Sequence, residues 1–251
     1  MIESRKRYIL LGLGLILGGG LFAAAAGLIL EYMPLAALGI SGVILGVVSL
    51  ALGRSLPRIS PEASLILLEA GSDNIAALVE ELGLRARAIY LPTSLTQGRP
   101  RALIPLHRNS VQPVIQKPVE QRLIVQFGPG RDDYGVLVAT PGSPALGLIE
   151  ASEGGSTSDL EAALSGLLVG RLDLVDAVRV RRSSENVVIE VDHPALPVHN
   201  HPAYTVLGSP IASIAATVAA ESLGQPVSVT SEIPNGRCQT IVLELQPEVR
   251  L

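Results

Sequence analysis

The chain has 251 residues, 48% of them hydrophobic and only 17% charged, with a formal net charge of −4. That is too apolar for an ordinary soluble protein. An acidic balance with 3% aromatic residues lacks the basic surface and stacking groups of a nucleic-acid binder, so no nucleic acid is expected as a partner.

The apolar excess lies at the N-terminus. Ile9 to Leu30 is a run of 22 residues without charge, and Pro34 to Gly53 a run of 20. As helices rising 1.5 Å per residue, these reach about 30 Å or more, enough to cross a hydrocarbon core of about 30 Å. Only Glu31, Tyr32 and Met33 separate them, which predicts an antiparallel hairpin over 9–53 after a short N-terminus, 1–8. Arg5, Lys6 and Arg7 precede the first run, and Arg54 and Arg58 follow the second. This bias predicts a cell-membrane protein with two spans and both termini cytoplasmic. A signal peptide cleaved near Ala23–Ala26 is the competing reading, but the second run would still anchor the chain. Gly14 and Gly18, and Gly42 and Gly46, form G-x-x-x-G pairs that predict close helix packing, within the hairpin or against a second copy or protein partner. Neither run contains an ionisable residue, so the hairpin reads as an anchor whose first partner is the lipid bilayer.

Residues 54–61 read as a linker and 62–251 as a cytoplasmic domain. Residues 59–251 carry 14 of the 19 basic and 21 of the 23 acidic residues. The lone Cys238 cannot close an internal disulfide, which fits a reducing compartment. Helix, strand, turn and strand recur three times. The first unit is DNIAALVEELGL, with Asp73 as the expected N-cap, then RARAIYLP, the turn TSLTQGRP and RALIPL. The second is SDLEAALSGLLVGRL, capped by Ser158, then DAVRVRR and VVIEVDHP. The third is a helix with Ser209 as N-cap and Pro210 at its first position, then PVSVTSEI and CQTIVLELQP. An extra hairpin, RLIVQF to YGVLVAT, lies between the first two. The expected fold is therefore α+β: a two-helix transmembrane hairpin and a mostly antiparallel sheet built from three helix–strand–strand units.

The third unit resembles the tail of small-ligand domains of the vinyl-reductase type, which end in a helix, a strand and a hairpin bearing Glu, Gly and Cys. Glu232, Gly236 and Cys238 occupy such places over about 40 residues. A further cysteine of that pattern is absent, so the resemblance implies no function here.

Chemistry concentrates in DHPALPVHNH, 192–201. Asp192, His193, His199 and His201 supply carboxylate and imidazole ligands for a metal, with Cys238 as an alternative fourth. Their spacing matches no zinc signature, and Pro194, Pro197 and Pro202 favour an extended path. The preferred reading is a stiff crossover between the second and third units. Gly208 and Ser209, and Gly142 and Ser143, lead into predicted helices where free N–H groups attract phosphate or carboxylate; simple capping is the alternative. FGPGRDDYG, 127–135, reads as a two-strand turn rather than a phosphate loop, and Arg179 and Arg181 as one solvated strand face.

No nucleophile–base constellation appears, and no cofactor is expected. The sequence points to a membrane-tethered cytoplasmic module for protein interaction or small-ligand sensing, non-catalytic and suited to a larger membrane assembly. The alternative is a membrane-bound metal-dependent enzyme using His193, His199 and His201.

Overall fold

A computed structural model describes residues 2–28, 33–55, 61–107, 115, 118–130, 132–149, 156–183, 186–196 and 201–246. The first run and the charged residues before it form one helix, α1 (Ile2–Leu28), and the second forms α2 (Met33–Ser55). Each holds a 22-residue window long and apolar enough to cross a membrane, Arg7–Leu28 and Met33–Arg54. Both windows are only 11% buried.

The two helices pack antiparallel along a seam of small residues seven apart. Gly12, Gly19 and Ala26 come from α1, and Gly39, Gly46 and Gly53 from α2. A Cβ on Gly46 would lie 2.7 Å from the Gly12 carbonyl oxygen, and one on Gly39 2.6 Å from the Ala23 nitrogen. These are contacts with backbone, so the seam is a close approach of two chains at the heptad spacing of left-handed helix pairs. Gly46, from the second predicted pair, lies in the seam, and Gly42 lies beside it. Gly14 and Gly18 have open space around them. They face away from the seam, because 3.6 residues per turn sets them about 100–160° from Gly12 and Gly19.

The third helix begins earlier than its periodicity suggests. It is α3 (Pro61–Glu81), so Asp73 is an interior helical residue and not an N-cap. The apolar run 65–68 has no amphipathic period and gives no helical signal by spacing alone. The chain divides into two compact units within α3, Met1–Gly71 and Ser72–Leu251.

The second unit contains an eight-stranded sheet in which every pairing is antiparallel. In chain order the strands are β1 (Ile89–Leu91), β2 (Arg101–Pro105), β3 (Ile124–Gln126), β4 (Tyr134–Val138), β5 (Ala177–Arg182), β6 (Asn186–Asp192), β7 (Val227–Asn235) and β8 (Cys238–Leu245). Their spatial order is β3-β4-β2-β1-β7-β8-β6-β5. The segment 93–96, expected as part of a turn, is the short helix α4 (Thr93–Thr96). Glu221 makes this possible by accepting hydrogen bonds from the Thr93 backbone N–H at 2.7 Å and from its hydroxyl at 2.9 Å.

The remaining helices are α5 (Gly142–Ala145), α6 (Thr157–Ser165), α7 (Pro202–Leu207) and α8 (Pro210–Leu223). Helix α6 is capped by Ser156 rather than Ser158: the Ser156 hydroxyl accepts from Asp159 N–H. It then widens into a π-helical turn over Gly166–Arg171. Ser209 and Pro210 start α8 as the sequence predicts.

One core packs the end of α3, α6 and α8 onto a face of the sheet, with Leu160, Leu164, Leu167, Ile189, Ile241 and Leu243 inaccessible to solvent. A smaller core covers the opposite face of β1–β4. The window Pro202–Leu223 is also apolar enough to cross a membrane, but it is 83% buried and broken at Gly208. It is the centre of the domain core. Small side chains allow α8 this position, and Gly142 of α5 packs directly on it: a Cβ there would overlap the Thr217 hydroxyl. Gly142→Ala should therefore destabilise the domain by about 1–3 kcal/mol, the usual cost of overpacking. Thermal unfolding would show this, with much of the loss recovered when Thr217→Ala is added. Equal melting of parent and Gly142→Ala would mean that α5 yields freely.

Candidate functional site

The site grows from one irregularity in β7. Val227 and Val229 alternate inward opposite Leu245 and Leu243, but the register slips at Thr230 so that Ser231 faces Val242. A one-residue slip reverses every later side chain. Glu232, which unbroken alternation would place on the outer face, instead pairs with the buried Ile241 and turns toward the helices.

There it meets the start of α8. Glu232 Oε1 accepts from the Ser209 N–H at 2.6 Å, and its Oε2 accepts from the buried Gln239 amide at 2.9 Å. The Ser209 hydroxyl accepts from Ala212 N–H and closes the cap. A carboxylate at a helix N-terminus satisfies a free donor and meets the positive end of the dipole. Gly208 has φ +79°, and a Cβ on it would sit 2.7 Å from Glu232 Oε1, so this close approach requires glycine. At Gly208 and Ser209 the anion is thus supplied by the chain itself. The companion pair has a different fate. Ser143 is buried, donates to the Pro100 carbonyl at 2.6 Å and accepts from Thr140 N–H, and α5 is a single turn.

Beneath this cap, the Tyr90 hydroxyl donates to the Leu207 carbonyl at 2.5 Å and ties β1 to the end of α7. Complete burial holds the phenol proton far above the ordinary tyrosine range, with the Glu232 charge acting in the same direction. In front of the cap opens a groove of about 330 Å³, whose lining includes Arg87, His201, Tyr204, Val206, Val229 and Glu232. Arg87 donates to the Val229 carbonyl at 3.0 Å, which holds its guanidinium along the groove edge. His201 and Tyr204 form a wall of two tilted rings with centroids 5.1 Å apart. The groove therefore has apolar side chains, a ring wall, one cation and a carboxylate already satisfied by donors.

The histidines take separate partners. His193, at the end of β6, lies 3.2 Å from an Asp176 oxygen, whereas His201 lies 3.1 Å from Asp73 on α3. His199 lies outside the described residues. Asp192 accepts from the Cys238 thiol at 3.1 Å, and that hydrogen bond to the carboxylate pushes the thiol pKa up. Among the described residues no group of three or more His, Cys, Asp or Glu could hold a metal ion. In the 127–135 segment, where Arg131 lies outside the described residues, Asp133 accepts from Gly130 N–H at 2.7 Å. Arg179 and Arg181 are exposed, and Arg181 pairs with Glu190 at 3.0 Å.

Arg87, Tyr90, Tyr204 and Gln239 are site residues that carry no motif. The bulge that redirects Glu232 leaves no mark in the alternation, and the groove joins residues more than a hundred positions apart.

These features define an α+β domain with an antiparallel sheet, a ligand-sized groove at a carboxylate-capped helix start, and an apolar helical hairpin at the N-terminus. The chain belongs to the family described as a domain of unknown function, DUF7982, whose model matches residues 3–244 and so spans both hairpin and sheet domain. No curated protein and no solved structure matches the chain.

Proposed function

We propose that this protein is a membrane-tethered module that binds a small, partly apolar organic anion. The groove beside Arg87 carries this reading. Its volume of about 330 Å³ falls in the range of small-molecule sites, and such sites combine apolar walls with a few oriented polar groups. Both Glu232 oxygens are already engaged by Ser209 and Gln239, which leaves Arg87 as the cation that faces a ligand. The ring wall of His201 and Tyr204 suits a flat apolar body.

Benzoate and phenylacetate are suitable probes, titrated calorimetrically into the full chain in detergent. Binding should be lost in Arg87→Ala, which removes the cation, and in Thr205→Trp, which fills the groove from an exposed position. Unchanged binding in both variants would overturn the reading.

The tether is the hairpin, and its flanking charges orient it. Arg7 and Arg54 bound the two apolar windows at the same end of an antiparallel pair, and the turn contains no Lys or Arg. On the positive-inside bias, the sheet domain is cytoplasmic. Cys238 is a poor reporter of sidedness because its hydrogen bond to Asp192 raises the thiol pKa and so slows reaction with maleimide. Ser158→Cys in a Cys238→Ser background places a thiol on an exposed position of α6. An impermeant maleimide should leave it unlabelled in sealed cells and label it after lysis. Labelling before lysis would reverse the orientation.

A further inference from the structure

We infer that the first half of α3, Ala63–Leu68, is immersed in the apolar edge of the membrane as a third lipid-contacting element beside the two spans. This rests on the tether reading above. Leu65 is 50% exposed, Ile66 65% and Leu67 68%, and with Leu68 they are four consecutive apolar residues. At 100° per residue they cover about 300° of the helix circumference. A neighbouring protein helix covers one face of another, not its whole perimeter, whereas a fluid apolar medium covers all of it.

The rest of α3 shows the contrast. Ile75, Ala76, Leu78 and Val79 form one stripe packed toward the domain, with Ala77 and Glu80 exposed between and beyond them. Leu65, Leu67 and Leu68 continue that stripe at its own spacing, but Ile66 lies off it. A second copy joined along the stripe would leave Ile66 in water. Chain length also favours lipid. Five residues lie between the end of α2 at Ser55 and the start of α3 at Pro61, a reach of at most about 22 Å over six Cα–Cα steps. The segment falls in the same compact unit as the hairpin. Ala63–Leu68 spans only about 9 Å as a helix, too short to cross a bilayer and long enough to dip into its apolar edge. Glu69 follows at once and marks the polar limit of the contact.

The test uses the full chain, Cys238→Ser, reconstituted in phosphatidylcholine vesicles with and without spin-labelled acyl chains. Single cysteines at Ile66, Leu67, Leu13 and Ala77 carry a polarity-sensitive fluorophore. Leu13 reports the hairpin, and Ala77 reports the water-facing side of the same helix. The expected result is blue-shifted emission and quenching by spin-labelled lipid at Leu13, Ile66 and Leu67, with neither at Ala77. Quenching at Leu13 alone would overturn this inference and leave the tether standing. No quenching at any site would overturn both. A blue shift at Ile66 and Leu67 without lipid quenching would show a protein covering the segment and would also overturn it.

Discussion

Replacing Gly39 or Gly46 by leucine should split the helical hairpin, whereas the same change at Gly14 or Gly18 should leave the pair together. At Gly46 a new Cβ meets the Gly12 carbonyl at 2.7 Å and the Ile16 nitrogen at 2.9 Å. No rotamer relieves a contact that begins at Cβ and ends on backbone, so the helices must separate. In a bilayer nothing replaces the lost packing, because the seam is held by close van der Waals approach rather than by exclusion of water. At Gly14 and Gly18 a side chain enters open space. A cysteine pair at Tyr8 and Gly53 reads the outcome in a Cys238→Ser background: a Cβ on Gly53 lies 3.2 Å from that of Tyr8, at the end away from the turn. Oxidative cross-linking should fall several-fold in Gly39→Leu and Gly46→Leu and persist in Gly14→Leu. Equal cross-linking in all three would refute the seam.

Glu232→Ala should be the most damaging single change in the site. It leaves the Ser209 N–H without its acceptor and the buried Gln239 amide with only a long contact of 3.4 Å to the Ser209 hydroxyl, and it removes the negative charge at the start of α8. Unpaired buried donors and the lost helix-end charge together cost about 2–4 kcal/mol, a fall in melting temperature of several degrees or more. Glu232→Gln should cost about 1 kcal/mol or less. Its carbonyl can still accept from Ser209, and rotation of the Gln239 amide presents Oε1, which has no partner in the parent, to the new NH₂. Denaturant unfolding of the full chain in detergent would rank the three proteins. If Ala and Gln behave alike, the cap contributes only charge; if both match the parent, the carboxylate does not hold α8.

Much of the architecture was legible because it depends on signals within a few residues. The two apolar windows, the Ser209–Pro210 helix start and the alternation that buries Val178 and Val180 under exposed Arg179 and Arg181 all arise from local chemistry. The hairpins β3–β4, β5–β6 and β7–β8 followed from short turns, which join consecutive strands antiparallel. Periodicity makes α3 short, because Leu65 to Leu68 is apolar in every direction and an amphipathic period appears only once the helix reaches its own domain. Ser156 and Ser158 are equally good capping residues by type, and only the backbone at Ser156 is extended, at φ −85° and ψ 156°.

The sequence by itself determined that two helices with uncharged apolar runs stand before an antiparallel α+β domain, since length, hydropathy and strand alternation are properties of single segments. The tertiary structure alone decided the rest. It selected Gly12, Gly19, Gly39, Gly46 and Gly53 for the seam, because which face of a helix meets its neighbour depends on the neighbour. It placed Glu232 at the start of α8, because a bulge is set by the packing of β7 on β8 and the helices. It assembled a groove from Arg87, Tyr204 and Val229, because side chains far apart in sequence converge only after the chain has folded.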